Sequence, residues 1–75
     1  MITFTGLEYL KMDIASSCGM DKANWNTRLG FFEQNRCFFE AAPLEELVRF
    51  LKKVDEPAQA MAGILAYRDV IAGKP

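Results

Sequence analysis

Lys22 sits in a short run, Gly19-Met20-Asp21-Lys22, between two stretches of helical periodicity. A lysine in such a loop can act as a mobile point charge on a phosphate. On residue types alone it reads first as an ordinary solvated charge, and a surface pair with Asp21 would stabilise little. Ser16, Ser17 and Cys18 offer hydroxyl and thiol groups, but the chain has no histidine to activate them. Asp55-Glu56 precede Pro57, where acidic residues suit the cap and first turn of a helix better than a cation site. No phosphate-cradling glycine loop is present. With two cysteines and no histidine, a four-ligand zinc site is not expected. One disulfide is arithmetically open, but two buried, reduced thiols are the favoured reading. Phe31, Phe32, Phe38 and Phe39 could stack bases. Only Arg28 and Arg36 flank them, so core packing is the better reading. No catalytic group, metal ligand set or cofactor site is expected in the chain by itself.

The elements that must position these residues are helical. Leu7, Leu10, Ile14 and Cys18 recur at spacings of three and four and share a face. The first helix is therefore expected over about Leu7 to Cys18, with Gly19 as its left-handed stop. Thr3, Phe4 and Thr5 before it have strand propensity but no second strand to pair with. Asn24 suits an N-cap. Trp25, Leu29 and Phe32 give one stripe, Asn35-Arg36 interrupt it, and Cys37, Phe38 and Phe39 resume it. One bent helix or two short ones are expected from Trp25 to Ala41. Pro43 suits the first turn of the next helix, whose face is Leu44, Leu47, Val48 and Leu51. Glu45 and Glu46 near its start and Lys52 and Lys53 near its end favour the macrodipole. Pro57 opens a last helix to about Ala72, with Gly73 as a stop. The expected fold is all-α, a small bundle of about four short helices forming a single domain over residues 1–75.

The last helix is unusual, because between Ala58 and Ala72 only Gln59, Arg68 and Asp69 are clearly polar. A helix apolar nearly all round needs burial on several sides, which a chain of 75 residues cannot easily supply. A larger body is expected around it, either a bigger protein or a homo-oligomer. Met61, Ile64, Leu65, Tyr67 and Ile71 are the candidate partner contacts.

Composition narrows the class further. Hydrophobic residues make up 51% of the chain and aromatics 12%, too apolar for a disordered tail. Net charge is −1, without the basic excess of an autonomous nucleic-acid binder. The N-terminus does not read as a signal peptide, and no uncharged stretch is long enough to span a bilayer. A cytoplasmic protein without membrane contact is expected.

Two runs of residues carry a resemblance. Tyr9-Leu10-Lys11-Met12, Ala15, Gly19-Met20-Asp21-Lys22, Arg28, Phe31, Glu33 and Asn35 resemble a stretch of the single-subunit RNA polymerases of phages and mitochondria. That stretch lies shortly before their first catalytic palm motif. Asp55-Glu56-Pro57-Ala58-Gln59-Ala60-Met61-Ala62 resembles the next landmark, an Asp-Glu-Pro leading into an apolar helix. Order and approximate spacing agree, and the likeness covers about residues 7–72. It implies a helical region supporting the palm, an interior last helix, and a nucleotide-triphosphate contact at Lys22. Position 13 is Asp where the family commonly has histidine, and position 16 is Ser where it often has asparagine. The catalytic aspartates of the palm are expected beyond Pro75, so Mg2+ is implied only for a complete polymerase.

The expected function is thus a fragment, split subunit or small relative of this pre-palm region, docking on the rest of a polymerase. It would meet nucleic acid only through the complete enzyme. The alternative is a small phage-type interaction protein that binds a larger host or phage protein. A helix-turn-helix module over residues 7–35 is a third reading, with Arg28 as its lone base-reading candidate.

Overall fold

The computed structural model describes residues 4–73; Thr3, read above as part of an extended lead, lies outside them. Five α-helices are present among these residues: α1 (Gly6–Ala15), α2 (Trp25–Gln34), α3 (Arg36–Ala41), α4 (Leu44–Leu51) and α5 (Pro57–Ile71). A π-helical turn, Ser16–Met20, follows α1. No strand occurs among the described residues, and the all-α expectation holds.

Helix α1 starts one residue earlier than its apolar periodicity predicts. Thr5 and Glu8 form a capping box: the Thr5 hydroxyl accepts from the Glu8 N–H at 3.2 Å, and the Thr5 N–H donates to Glu8 Oε1 at 3.0 Å. At its other end α1 widens after Ala15 instead of running regularly to Cys18. Gly19, with φ 111°, then turns the chain, as only glycine does without strain. Asn24 caps α2 as expected, accepting from the Thr27 N–H at 2.8 Å. Asn35 divides α2 from α3: its backbone leaves the helical region (φ −110°, ψ 12°). Its side-chain amide donates to the Phe31 carbonyl at 2.9 Å. Pro43 leads into α4, Pro57 opens α5, and Gly73, at φ 76°, follows its end. Glu56 stands at the N-cap of α5, but neither it nor Asp55 caps with a side chain, contrary to expectation. The Glu56 N–H instead donates to the Ser17 carbonyl at 3.0 Å.

The core joins Ile14 of α1, Phe32 of α2, Phe39 of α3, Leu47 and Leu51 of α4, and Ala60, Ile64 and Tyr67 of α5. Its centre is aromatic, with Phe32 lying 5.2 Å from Phe39 and 4.9 Å from Tyr67 between ring centroids, the latter edge-on. Core packing is thus the role of Phe32 and Phe39, with Phe31 and Phe38 half-buried against them. Gly63 lets α5 come close to α1: a Cβ there would lie 2.9 Å from Ile14 Cγ1.

Arg68 adds a polar tie between α5 and the end of α3. Its guanidinium donates to the carbonyls of Phe39 at 2.6 Å, Ala42 at 3.0 Å and, more weakly, Phe38 at 3.4 Å. It thereby satisfies the Phe39 and Ala42 carbonyls that a helix end otherwise leaves open, the Phe38 carbonyl already accepting from the Ala42 N–H. Next to it the buried Tyr67 hydroxyl donates to Glu40 at 2.6 Å. Burial, followed by that hydrogen bond, pushes the phenol up to about 12.

Two expectations about faces need correction. Of the α4 stripe, Leu47 and Leu51 are buried, but Leu44 and Val48 stay exposed, because α5 covers only one side of it. Cys18 is half-buried as an unpaired thiol, whereas Cys37 is exposed. Helix α3 turns Phe39 inward and so turns Cys37 out. No helix among the described residues is long and apolar enough to cross a membrane.

Candidate functional site

The loop that carries Lys22 joins the π-helical turn to α2 and is held from three directions. Gly19 reverses the chain, and the Ala23 N–H closes a turn onto the Met20 carbonyl at 3.0 Å. Arg28, from the first turns of α2, reaches back over the loop. Its Nε donates to the Ala23 carbonyl at 2.7 Å and an Nη to the Asp21 carbonyl at 3.0 Å. From below, the carboxylate of Asp55 packs against Gly19, within 3.9 Å of where a Cβ would stand. Lys22 itself is exposed. Among the described residues, neither it nor Asp21 joins an ion pair.

The frame beneath the loop uses other residues of the same run. Lys11 of α1 meets Glu33 of α2 at 3.1 Å, and its ammonium lies 5.5 Å from the centroid of the Phe32 ring. The contact is a charge pair stiffened by a cation–π contact. Phe4 packs on Trp25 at 5.3 Å. Contacts between the start and the later part of the run are thus made on both sides of the loop, through Phe4 with Trp25 and Lys11 with Glu33. The two landmark runs, far apart in the chain, meet where the Glu56 N–H bonds to the Ser17 carbonyl at 3.0 Å, with the Asp55 carboxylate 3.7 Å from where a Cβ on Gly19 would stand.

The arrangement can hold an anion at Lys22 by charge. It assembles no activated nucleophile: burial pushes the Cys18 thiol up to about 11, away from the reactive thiolate. Among the described residues no three Cys, Asp or Glu side chains gather to hold a metal ion. Arg28 has its guanidinium turned onto its own loop rather than outward to a base.

Of the candidate partner contacts on α5, Ile64 is 0% and Tyr67 2% exposed. Both serve the chain's own core, since they share a stripe with Ala60 that packs on α1 and α3. Met61 is half-buried, while Leu65 and Ile71, together with Val70, remain exposed. The apolar outer face of α5 is thus narrower than the composition of the helix suggests. A second apolar surface, a cleft of about 530 Å3, lies between Phe31, Phe38 and Phe50, with Glu46, Arg49 and Lys53 at its rim.

Sequence reasoning had placed Lys22 in its loop but missed the residues that hold that loop. Arg28 carries no local signal for its reach. The capping box at Thr5 did carry one, the Thr-x-x-Glu pattern ahead of an apolar run.

A comparison with curated proteins found no match. A family profile described as DNA-dependent RNA polymerase matches residues 2–75. The profile spans both landmark runs, and the fold brings those runs together through the Glu56–Ser17 hydrogen bond. The chain belongs to the family of phage-type DNA-dependent RNA polymerases.

Proposed function

We propose that this chain acts as the pre-palm helical region of a single-subunit RNA polymerase, as a fragment, split subunit or small relative. It supports the palm and docks on the remaining polymerase without catalysing alone. The observation that carries this reading is the junction of the two landmark runs. A helical frame that locks the Lys22 loop to the start of α5 links a phosphate-reaching cation to the element that leads into the palm. In that reading Lys22 contacts the triphosphate of the incoming nucleotide, where a fixed positive charge stabilises the leaving phosphates. Mg2+ belongs to the complete enzyme and is held by residues outside this chain. The docking surface is α5 itself, on which Leu65, Val70 and Ile71 are exposed around the helix, Ile71 continuing the stripe of Ala60, Ile64 and Tyr67 beyond the core. Nucleic acid is met only through the assembled enzyme, in the cytoplasm of the host if the gene is a phage's.

The test is reconstitution. Coexpressed with a polymerase segment that carries the palm aspartates, the chain is expected to copurify in fixed ratio. Leu65→Asp and Ile71→Asp should abolish that complex while leaving the helical fold intact. Failure to associate with any such segment, combined with stoichiometric capture of one unrelated host protein, would replace this reading by that of a small phage-type interaction protein.

A further inference from the structure

The geometry points to Arg28 as the positioning residue of the Lys22 loop, in a role that lysine cannot take over. The inference rests on the reading of Lys22 as a phosphate contact and adds how that cation is aimed. The two acceptors of the Arg28 guanidinium are the carbonyls of Asp21 and Ala23, the residues on either side of Lys22 in the chain, at 3.0 and 2.7 Å. The Asp21 carbonyl fixes the peptide plane that enters Lys22, the Ala23 N–H bonded to the Met20 carbonyl at 3.0 Å fixes the plane that leaves it, and the Ala23 carbonyl held by Arg28 anchors the plane after that. The direction of its Cα–Cβ bond is then set, even though the long side chain stays free to move.

Three observations make this more than an incidental surface contact. First, Arg28 stands near the N-terminal end of α2, where a cation opposes the helix macrodipole. The loop carbonyls offset that unfavourable position, and no acidic residue in the first turn of α2 does so. Second, Arg28 is half-buried, and the planar fork of its Nε and Nη donors matches two acceptors at once. A lysine ammonium is a single point and cannot span both carbonyls with the same geometry. Third, the clamp is built on a capped helix: Asn24 accepts from Thr27, and the Arg28 N–H bonds to the Asn24 carbonyl at 3.0 Å. Arg28 therefore reaches back from a rigid base onto the loop immediately before it.

The test uses Arg28→Lys, Arg28→Gln and Lys22→Ala. In the 75-residue chain, backbone 15N relaxation should show the Lys22 and Ala23 amides ordered in the wild type. In Arg28→Lys they should fall to the flexible range, order parameters below about 0.6, with α1 and α2 unchanged. In a polymerase assembled with this chain, Lys22→Ala and Arg28→Lys should each raise KM for nucleotide about tenfold, the scale of a lost charge-assisted contact. The double variant should be no worse than Lys22→Ala, because the two act through one contact. Additive effects in the double variant, or an ordered loop in Arg28→Lys, would overturn the inference. If Lys22→Ala raises KM and Arg28→Lys does not, Arg28 loses its role and the reading of Lys22 stands. If Lys22→Ala changes nothing, the Lys22 reading fails and this inference falls with it.

Discussion

Alanine at Gly30 should stabilise the chain and alanine at Gly63 should not, and the difference between them measures how tightly α1 and α5 are packed. Both glycines lie inside helices, where replacing Gly by Ala stabilises by about 1 kcal/mol through backbone entropy. At Gly30 a new Cβ would meet nothing within 4 Å, so the full gain is expected. At Gly63 the same methyl would stand 2.9 Å from Ile14 Cγ1 and 3.8 Å from its Cδ1. Carbon atoms prefer about 3.5–4.0 Å, so the overlap with Cγ1 is about 1 Å. Ile14 is 1% exposed and part of the central cluster, so it cannot swing aside without moving its neighbours. Overpacking of a filled core costs about 1–3 kcal/mol. Gly63→Ala should thus range from neutral to about 2 kcal/mol destabilising, and the two variants should differ by about 1–3 kcal/mol, with the propensity gain cancelling. Urea denaturation followed by far-ultraviolet circular dichroism reads this directly. In a thermal scan each kcal/mol is worth about 4–8 °C for a chain of this size. Equal stabilisation by both substitutions would refute the close approach of α5 to α1.

The remaining predictions concern polar groups. Arg68→Gln should destabilise by about 1.5–3 kcal/mol, the worth of charged hydrogen bonds to otherwise open carbonyls, seen as a lower urea midpoint. Tyr67 keeps its proton in the folded chain up to about 12, against 10.0 ordinarily. Between those values the unfolded chain binds fewer protons than the folded one. The contribution of Tyr67 is therefore complete below about pH 10 and is lost as pH rises towards 12. Tyr67→Phe should show a shallower decline than the wild type over that window, and identical slopes would argue against the buried phenol. Lys22→Ala should change folding stability by less than about 0.5 kcal/mol, as expected for an exposed charge with no tertiary role. A larger loss in the urea midpoint would mean that Lys22 supports the fold.

Helix boundaries were legible because their determinants are local. Asn24, Pro43, Pro57, Gly19 and Gly73 each act within a residue or two, and each marks an element end in the fold. The division at Asn35 was legible only as an alternative, because the deciding bond is the choice of its side-chain amide for the Phe31 carbonyl. Burial was less legible. The spacing of Leu44 and Val48 promised a buried face, yet a stripe is buried only as far as a neighbour reaches, and α5 reaches Leu47 and Leu51. For the site, the position of Lys22 was readable and its frame was not. The reach of Arg28, the Ser17–Glu56 bond and the grip of Arg68 on α3 are choices of acceptor made in three dimensions, with no pattern in the neighbouring residues.

The contact of α5 with α1 also governs the order of assembly. Helices α1, α2 and α3 can form and pair through short connections as soon as they leave the ribosome, whereas α4 packs mainly on α5. Helix α5 must come last, and it closes a loop that contains α2, α3 and α4. Until then the aromatic centre lacks Tyr67, Ile14 has no partner at Gly63, and Ser17 has no donor from Glu56. Loop closure is entropically costly before its contacts form, so the arrival of α5 is the natural slow step in an otherwise locally connected helical chain. The Glu56 N–H that seals the junction is a backbone group. Any residue other than proline at position 56 can supply it, so this late step tolerates side-chain change there.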